Sequence, residues 1–562
     1  MSQSLPQARR AVQAMKAYQP PLEGRRSRVR LDFNENTQGF AEQLPDFDSG
    51  ELTTYPEYAR LLTSLAAHLN LPEEYLLVTN GSDEGLFVSA FTFVEADVDR
   101  VLVAQPTFAL IPHYLQLCQA IVEEIPNRED LSFDLDGMEA ALARGAKMAM
   151  WATPDNPTGA ALPLERLRGW LRAFPETLFV IDEAYFEYHQ QTVLPLVRNH
   201  LNLIVSRTFS KAWGMAGLRL GLLAAHPQLI EWMRRVRSPY SVNSVAVRAL
   251  LGFLPHSARV EEQAAALMKR KSYALQVING LGYRTTAGAA NFFLVWAGIN
   301  SKALAAFLYQ RGMLVRDRSS LPKMGGSVRV STGSEAEMER FLHLLAEFTR
   351  TFAIIFDLDD TLVDTSESYD MCISRLTGCS REQLLKLRAE GGYNDDWDAA
   401  FELLRRDGRE RPLPELQREG QQLYLQLAHK VEKALFQEAH LHSLARRHPL
   451  FIYTGRPRQE YEPIWAQRLA PHFRDVLCKD DPQVGRPKPH PDGLHVLMRR
   501  HGLAGGIYVG NSVDDMAAAR AAGLTAVGVT SNQSAERLRA AGADYIIENI
   551  GQLPALFLLE PA

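Results

Sequence analysis

Short apolar runs alternate with longer amphipathic stretches from about residue 31 to residue 348. The runs MAMWAT, LFVIDEAY and LNLIVS have the length and composition of buried β-strands, and helical stretches separate them. Strands that alternate with helices in this way predict an α/β domain with a largely parallel sheet.

The pattern changes after the amphipathic stretch EAEMERFLHLLAEFTR, where the apolar run AIIF leads directly into the acidic segment DLDDTLVD. A charged, helix-rich stretch from about residue 366 to 446 then interrupts the α/β rhythm, which returns at HPLFIYTG and GIYVGNS. We therefore predict two domains, residues 1–350 and 351–562, the second with an inserted helical cap at about 366–446.

Composition narrows the classes of protein. With 562 residues, the chain exceeds what one hydrophobic core usually supports. Its 61 basic and 66 acidic side chains give a net charge of -5, which offers no electrostatic basis for binding nucleic acid or an anionic membrane. The four cysteines are scattered, and the sequence has neither a signal peptide's apolar core nor a membrane-spanning apolar run. We expect a soluble, cytoplasmic protein with reduced thiols.

Lys211 and Asp182 are the first candidates for chemistry. Lys211 lies in SRTFSKAWGMAGLRLG, but most lysines are solvated surface charges. Asp182 ends the apolar run FVID, where open α/β sheets usually bind ligands, and a buried carboxylate there needs a cationic partner unless it caps a helix. A lysine that forms a Schiff base and a carboxylate that keeps a pyridine nitrogen protonated are what pyridoxal 5'-phosphate (PLP) requires.

Further side chains could complete a PLP site. Tyr185, and Asn156 in the turn PDNPTG, could donate hydrogen bonds to the ring's phenolic oxygen, and Phe108 could stack on the ring. The segment TNGSDEGL has the composition of a loop that enters a helix, whose free N–H groups favour a phosphate. The expected phosphate-binding residues are Ser82, Asp83, Ser210 and Arg219.

Several segments occur together and in a characteristic order: DFNENT, TTYPEY, NGSDE, PDNPTG, IDEAY, FSKAWGMAGLRLG and VRVSTG. Over about residues 10–350 the chain thereby resembles the fold-type I PLP aminotransferases, and most of all the histidinol-phosphate aminotransferase family. The resemblance implies a large α/β domain followed by a small α+β domain, and a homodimer in which Tyr55 reaches the PLP phosphate across the interface. It also implies that Arg329 holds the substrate's anionic group with help from Arg316, although the sequence pattern alone would allow both to be surface arginines.

The same resemblance suggests a small-molecule reaction. Glutamate is the family's usual amino donor, and imidazole acetol phosphate is the suggested acceptor, which gives histidinol phosphate and 2-oxoglutarate. Relatives accept other phosphorylated or aromatic substrates, so another amino-alcohol phosphate is an alternative product. A PLP decarboxylase of a phosphorylated amino acid is a further alternative, because related folds catalyse both reactions.

Asp357 and Asp359 follow the apolar run IIF at a spacing of two residues. Two carboxylates this close repel unless a cation lies between them, which points to Mg²⁺, with an acidic loop that binds nothing as the alternative. Thr454 follows another apolar run and suits a phosphoryl oxygen, and Lys488 in GRPKPHPDG could neutralise the phosphate and the nucleophile. These features predict a phosphate-processing site in the second domain.

Residues 352–560 resemble the haloacid dehalogenase superfamily of phosphatases, which implies a Rossmann-like domain with a helical cap. The resemblance makes Asp357 the nucleophile and Asp359 the acid that protonates the leaving alcohol and then activates water. The superfamily's last motif usually begins with Gly-Asp, whereas the corresponding segment GNSVDD of this chain begins with Gly510 and Asn511. The expected Mg²⁺ ligands are Asp357, Asp359, Asn511 and, as sources of the missing charge, Asp514 or Asp515.

The two predicted chemistries are consecutive steps in histidine biosynthesis, namely transamination of a phosphorylated ketone and removal of the phosphate. We therefore expect a bifunctional enzyme. A non-catalytic regulatory module in the second half is the alternative, and the intact set of Asp357, Asp359, Thr454 and Lys488 argues against it.

Overall fold

The structure is a computed structural model that describes residues 8–39, 46, 50, 53–390 and 396–559, the side chains of residues 388–390 excepted. The chain divides into two compact units, Met1–His343 and Leu344–Ala562. The boundary between the units lies inside the helix Glu335–Thr351. The domain boundary at residue 350 stays a prediction, a few residues from this division.

The first unit contains a large sheet and smaller ones. The strands are β1 (Val29–Arg30), β2 (Leu76–Thr79), β3 (Arg100–Gln105), β4 (Ile121–Pro126), β5 (Met148–Ala152), β6 (Leu178–Asp182), β7 (Leu203–Thr208), β8 (Gly221–Ala225), β9 (Arg284–Thr286), β10 (Phe292–Trp296), β11 (Met313–Leu314), β12 (Arg316–Asp317) and β13 (Ser327–Ser331). The large sheet has seven strands in the order β2-β8-β7-β6-β5-β3-β4, and only β8 runs antiparallel to its neighbours.

The large sheet is buried on both faces, which explains why its central strands are apolar throughout. In β6, Phe179 and Ile181 join one hydrophobic cluster, whereas Val180 joins another. Successive side chains of a strand point to opposite faces, so both faces of β6 are packed. Asp182 ends this strand and lies at the carboxyl edge of the sheet, where side chains can project beyond the packed region.

A smaller antiparallel sheet has the order β12-β13-β10-β9, and β1 pairs with β11 in parallel. The helices of this unit are Arg10–Ala14, Ala59–Leu69, Gly81–Phe93, Leu110–Leu117, Leu135–Ala143, Leu164–Ala173, Phe186–His189, Pro227–Val236, Ser244–Phe253, Ser257–Gly280 and Ser301–Gln310. The predicted large α/β part and small α+β part are therefore both present.

The second unit has a six-stranded parallel sheet in the order β18-β17-β14-β19-β20-β21. These strands and the short pair β15 and β16 are β14 (Phe352–Phe356), β15 (Val363–Asp364), β16 (Lys433–Ala434), β17 (Leu450–Thr454), β18 (Asp475–Cys478), β19 (Gly505–Gly510), β20 (Thr525–Val529) and β21 (Tyr545–Ile547). The helices outside the insertion are Glu438–Ala445, Arg458–Tyr461, Gln467–Leu469, Asp492–His501, Val513–Ala521, Ala535–Ala541 and Leu553–Leu556.

The helical insertion lies between β15 and β16, which pair with each other in antiparallel fashion where the chain leaves and re-enters the sheet domain. Its helices are Ser368–Thr377, Arg381–Glu390, Asp396–Arg406 and Leu413–Val431. The predicted limit near residue 446 also includes the helix Glu438–Ala445, which packs against Leu553–Leu556 of the sheet domain instead. The Rossmann-like sheet with a helical cap agrees with the predicted fold class.

Two further expectations concern membrane-spanning helices and the state of the cysteines. Throughout the described ranges, no helix is long and apolar enough to cross a membrane. All four cysteines are free thiols, as the scattered spacing indicated: Cys118, Cys372, Cys379 and Cys478.

Candidate active sites

Lys211 lies just after β7, and its Nζ donates a hydrogen bond of 2.9 Å to the carbonyl oxygen of Phe33. Burial and the nearby positive charge of Arg329 lower the pKa of Lys211 to about 8. A lysine with a lowered pKa offers a larger fraction of neutral, nucleophilic amine near neutral pH. The structure therefore prepares Lys211 for covalent chemistry.

Asp182 is buried at the end of β6, with 4% of its surface exposed. Its Oδ1 atom accepts no hydrogen bond from any described residue. Burial raises the pKa of this carboxyl group to about 7. A buried carboxylate oxygen without a donor is costly, so the site fits a ligand that supplies a cationic N–H, such as a protonated pyridine nitrogen.

Tyr185 and Asn156 are held by neighbours that come from distant parts of the chain. The Tyr185 hydroxyl accepts a hydrogen bond of 2.9 Å from Asn34 Nδ2, and burial raises the pKa of Tyr185 to about 12. Asn156 Oδ1 accepts a hydrogen bond from Arg329 Nη1. The Lys211 amine lies 5.8 Å from the centre of the Tyr185 ring. The structure thus brings these predicted side chains together, and it adds Asn34, which the sequence analysis did not assign.

The predicted phosphate-binding residues meet at the start of the helix Gly81–Phe93. Arg219 donates to Ser210 Oγ over 3.3 Å and to Asp83 Oδ2 over 2.9 Å. Asp83 therefore orients Arg219, since a carboxylate would repel a phosphate. Ser82 lies in the first turn of the helix, where backbone N–H groups lack helical partners.

Gly81 shows how tightly this cradle is built. Its φ angle is +77°, and a Cβ atom added to it would lie 2.7 Å from Arg219 Nη2. A Cβ added to Gly221 of β8 would lie 2.7 Å from the backbone nitrogen of Ser82. The two glycines let Arg219 and the sheet approach the helix start closely, where free backbone N–H groups favour an anion.

Within one chain, Phe108 and Tyr55 contact residues outside the predicted PLP site. Phe108 is partly buried and packs against one of the hydrophobic clusters of the large sheet. Tyr55 is 72% exposed and stacks on Tyr240 with ring centres 4.2 Å apart. Their roles as a ring-stacking residue and as a residue that acts across a dimer interface stay predictions.

The predicted substrate arginines lie on one face of the small sheet. Arg316 of β12 and Arg329 of β13 are direct cross-strand partners. Arg318, two residues after Arg316, continues the pairing, because its N–H donates to Ser327 O over 2.9 Å. Side chains two apart on a strand share a face, so three guanidinium groups line this one.

Like charges directly opposite each other destabilise a sheet unless an anion compensates them. The Nε atoms of all three arginines are buried without a hydrogen-bond partner among the described residues. Burial and the charge of Arg318 lower the pKa of Arg329 to about 9. The face therefore suits an anionic group with more than one charge. Arg318 was missed in the sequence, although its spacing from Arg316 along a strand is a usable signal.

In the second unit, Lys488 lies between two buried carboxylates. Its Nζ donates to Asp357 Oδ1 and to Asp515 Oδ1, each over 2.7 Å, and to the Tyr508 hydroxyl over 3.2 Å. Burial opposes the charge, but the two carboxylates raise the pKa of Lys488 well above its usual value. This arrangement keeps Lys488 charged next to the predicted nucleophile.

Asp359 and Thr454 are held by a residue that the sequence analysis did not assign. Arg456 donates two hydrogen bonds to Asp359 Oδ1, the one from Nε over 2.9 Å, and its backbone N–H donates to Thr454 Oγ1 over 3.0 Å. Arg456 is also paired with Glu432, Nη1 to Oε2, over 3.1 Å. The position of Arg456 two residues after the predicted threonine was the only local signal.

Two of the predicted metal ligands, Asp515 and Asn511, have hydrogen-bond partners of their own. Both carboxylate oxygens of Asp515 are engaged, Oδ1 by Lys488 and Oδ2 by the backbone N–H and hydroxyl of Ser512 at the helix start. Asn511 Oδ1 accepts a hydrogen bond of 3.4 Å from Thr361, and its Nδ2 donates to Asn532 over 3.0 Å. Within the described residues, no group of three or more His, Cys, Asp or Glu side chains could hold a metal ion.

The donor set that remains still fits a hard cation. Asp357, Asp359 and Asn511 line one cavity with side-chain oxygens, and Mg²⁺ usually keeps several waters. A cavity of about 1010 Å³ opens at these residues and extends to Tyr369 and Trp397 of the insertion. The cavity can admit a small phosphorylated molecule next to Asp357.

Each half of the chain matches a known protein family. Residues 29–345 match the family described as aminotransferase class I and II, and residues 354–529 match the haloacid dehalogenase-like hydrolases. The first match covers more than half of the chain, so the protein belongs to the class I and II aminotransferase family.

The histidinol-phosphate aminotransferase of Symbiobacterium thermophilum is 36% identical over 353 residues, which are 60% of this chain and 97% of the relative. That of a Geobacillus species is 34% identical over 343 residues, which are 58% of this chain and 92% of the relative. A solved histidinol-phosphate aminotransferase from Sinorhizobium meliloti, in complex with pyridoxal-5'-phosphate, has a TM-score of 0.56 and 24% identity and covers 61% of this chain and 98% of its own.

These matches confirm the predicted fold class and both predicted family resemblances. The protein is an enzyme with an aminotransferase domain resembling histidinol-phosphate aminotransferase and a C-terminal haloacid dehalogenase-like hydrolase domain.

Proposed function

We propose that the chain is a bifunctional enzyme that transaminates a phosphorylated keto compound with PLP and glutamate and then hydrolyses the phosphate ester with Mg²⁺. The observation that carries the first half is the buried Asp182 Oδ1, which accepts no hydrogen bond from any described residue. The same unit holds Lys211 with its lowered pKa and the pair of Ser210 and Arg219 at the helix start. The observation that carries the second half is Lys488, which bridges the predicted nucleophile Asp357 and Asp515.

In the first site, Asp182 would face the ring nitrogen of PLP, and Ser82, Ser210 and Arg219 would hold its phosphate. Bound PLP supplies an electron sink for the electrons of the broken Cα–H bond. Tyr185 and Asn156 would hold the ring's phenolic oxygen. This role is supported by the 5.8 Å between the Tyr185 ring centre and the Lys211 amine and by the hydrogen bond that fixes Asn156 on Arg329. The Lys211 amine would move the proton at the substrate's α carbon, for which its lowered pKa is suited.

The substrate would bind to the arginine face. Arg329 and Arg316 would hold an anionic group, and the surplus of positive charge favours a phosphate over a single carboxylate. The names of the most similar relatives support imidazole acetol phosphate as the acceptor and histidinol phosphate as the product. Tyr55 would complete the phosphate cradle of a second copy in a homodimer, which its exposure supports.

In the second site, Asp357 would attack phosphorus while the ester P–O bond breaks, and Asp359 would give its proton to the leaving oxygen. Asp359 would then take a proton from the water that releases phosphate. Lys488 and Thr454 would hold the phosphoryl oxygens, and Asp357, Asp359 and Asn511, which line the same cavity, would hold Mg²⁺. Bound Mg²⁺ supplies positive charge that offsets the charge on the phosphoryl group.

The test uses the full chain with PLP, Mg²⁺, glutamate and imidazole acetol phosphate, and follows 2-oxoglutarate and inorganic phosphate in one reaction. We expect 2-oxoglutarate first and phosphate after a lag. Lys211→Ala should abolish 2-oxoglutarate but still release phosphate from added histidinol phosphate, and Asp357→Asn should show the converse.

Release of neither product would overturn the proposed substrates. Activity on other phosphorylated ketones alone would indicate a different amino-alcohol phosphate as the product. Carbon dioxide release without a keto acid would indicate a decarboxylase. Phosphate release that survives Asp357→Asn would overturn the assigned nucleophile.

A further inference from the structure

The orientation of Asp359 is fixed through one of its two oxygens. Arg456 Nε lies 2.9 Å from Asp359 Oδ1, and Arg456 Nη2 donates to the same oxygen. No described residue donates a hydrogen bond to Oδ2. Asp359 lines the cavity that contains Asp357, and its side chain is 29% exposed. One oxygen is therefore anchored and the other is left to act on a ligand in the cavity.

Arg456 is itself held rigidly, because its side chain is completely buried and paired with the equally buried Glu432. Nη1 lies 3.1 Å from Glu432 Oε2, and Nη2 lies 3.2 Å from Oε1. A two-point contact of this kind fixes the plane of the guanidinium group. The Nε edge of Arg456 then has one direction available, which is toward Asp359.

Glu432 is saturated with donors. Besides Arg456, it accepts hydrogen bonds from Trp465 Nε1 over 2.6 Å, from the Tyr424 hydroxyl over 2.7 Å and from Ser368 Oγ over 3.0 Å. Buried charges are retained at low cost only when all their hydrogen-bonding positions are filled. Glu432 directly follows the last helix of the insertion and precedes β16, so the network links the insertion to the reacting groups.

We infer that Arg456 is a positioning residue that turns Asp359 Oδ2 toward the leaving oxygen of the phosphate ester, with Glu432 as its anchor. The inference rests on the proposed phosphatase function. In the step concerned, Asp357 forms a bond to phosphorus, the ester P–O bond breaks, and the electron pair stays on the leaving oxygen. That oxygen takes the proton from Asp359, so no further reactant is needed.

A correctly placed general acid contributes about 10²- to 10⁴-fold to a rate, and the contribution depends on the basicity of the leaving group. A phenolic leaving group with a strongly withdrawing substituent needs little protonation, whereas an alcohol needs much. Loss of acid positioning therefore harms the alkyl ester selectively. A general loss of structure lowers the hydrolysis rates of both esters equally. The ratio of the two rates therefore distinguishes lost acid positioning from lost structure.

The experiment compares 4-nitrobenzyl phosphate with 4-nitrophenyl phosphate, which have similar size and different leaving groups, using the full chain and Mg²⁺. For Arg456→Lys, which keeps the charge but loses the fork, we expect kcat/KM to fall roughly 30-fold more for the benzyl ester than for the phenyl ester. The matched control is Arg458→Lys, because Arg458 makes a two-point contact with Asp481 and none with Asp359. The control should change both esters equally and little.

Two further measurements distinguish an effect of Arg456 through Asp359 from an effect on Mg²⁺ binding. In a double-mutant cycle, Arg456→Lys should add no further selective loss to Asp359→Asn, because Arg456 acts through Asp359. The Mg²⁺ affinity of Arg456→Lys, measured by calorimetry, should equal that of the wild type. Tyr424→Phe removes one donor from Glu432 and should give a smaller loss in the same direction if Arg456→Lys does not fold.

Equal losses with both esters in Arg456→Lys and in Tyr424→Phe, in a chain whose wild type is active, would overturn the inference alone. A selective loss that persists in the Asp359→Asn background would overturn it as well. A wild type that releases phosphate from neither ester nor from histidinol phosphate would overturn the phosphatase proposal and the inference with it.

Discussion

The aminotransferase and hydrolase halves treat their buried charges in opposite ways. Among the described residues of the first, Asp182 Oδ1 and the Nε atoms of three facing arginines have no hydrogen-bond partner, and the Lys211 amine donates to a backbone carbonyl. In the second, Lys488 is bound to two carboxylates and Arg456 to two more.

The difference indicates how each site meets its ligand. Uncompensated groups store a cost that a charged cofactor and substrate relieve when they bind. Pairing offsets much of the desolvation cost of buried charges, so the hydrolase site is formed before its ligand arrives. We therefore expect ligands to stabilise the aminotransferase half strongly and substitutions to destabilise the hydrolase half strongly.

Replacing the two lysines tests this contrast most directly. Lys488→Met leaves Asp357 and Asp515 buried without a cation, so we expect a loss of about 3–5 kcal/mol in the stability of the second unit. We also expect phosphate release to fall about 10²- to 10³-fold or more. Lys211→Met should leave the stability of the cofactor-free chain unchanged or higher while abolishing transamination. Urea unfolding and the two product assays measure these effects, and equal destabilisation by both variants would contradict the contrast.

Asp182→Asn should lower transamination strongly and stabilise the cofactor-free chain by about 1–3 kcal/mol near pH 8. The folded chain raises the pKa of Asp182 to about 7 from a usual value near 4. Between these values the folded state holds a proton that the unfolded state has lost, so stability falls as pH rises from about 4 to 7.

The stability difference between Asp182→Asn and the wild type should therefore be small at pH 4 and reach its maximum above pH 7. Urea unfolding across this range measures the difference, and saturating PLP should abolish the advantage of the variant. A difference that does not change with pH would show that Asp182 is not the group responsible.

Arg318→Gln should weaken the binding of a phosphorylated substrate without harming the fold. One charge-assisted hydrogen bond is lost, so the inhibition constant of inorganic phosphate against the keto substrate should rise roughly tenfold. The stability of the cofactor-free chain should stay equal or increase, because one of three facing positive charges is removed. Arg340→Gln is the control, since Arg340 donates to a backbone carbonyl elsewhere in this unit. An unchanged inhibition constant would exclude Arg318 from the anion site.

Gly81→Ala should raise the dissociation constant of PLP about fivefold. The positive φ angle strains an alanine by about 1 kcal/mol, and the added Cβ presses on Arg219 in the phosphate cradle. Gly217→Ala is the matched control, because a Cβ there has no atom within 4 Å. Absorbance titration of the cofactor measures both variants, and equal affinities would show that the cradle tolerates the contact.

Local motifs were sufficient to predict a site residue when the residues next to it in sequence indicate its role. Asp182 ends an apolar strand and Asp357 directly follows one, and a strand end at a sheet edge explains both the run and the polar group. Lys211 lies three residues after β7 and was assigned from its motif. Periodicity predicted an α/β chain with a largely parallel sheet, and the resemblance to two families supplied the rest of the fold class. Asn34 and Glu432 were not found, because each acts on a partner from a remote segment and has no distinctive neighbours of its own.

Asp515 illustrates the limit of local patterns. Two adjacent aspartates after a strand are compatible with a metal site and with a helix cap, and the sequence alone does not distinguish them. The structure places Asp515 in a capping box with Ser512 and against Lys488, which is 27 residues away.

The sequence alone predicted the order of strands and helices, because hydrophobic periodicity is a local property. The two chemistries and their principal reacting groups were predicted from motifs and from the resemblance of those motifs to known families. Only the folded chain revealed the pairing of Arg456 with Asp359 and Glu432 and the shared face of Arg316, Arg318 and Arg329. It also revealed that one Asp182 oxygen has no donor among the residues that the structure describes. Charge compensation depends on distances of a few ångströms between segments that are far apart in sequence, and only packing sets those distances.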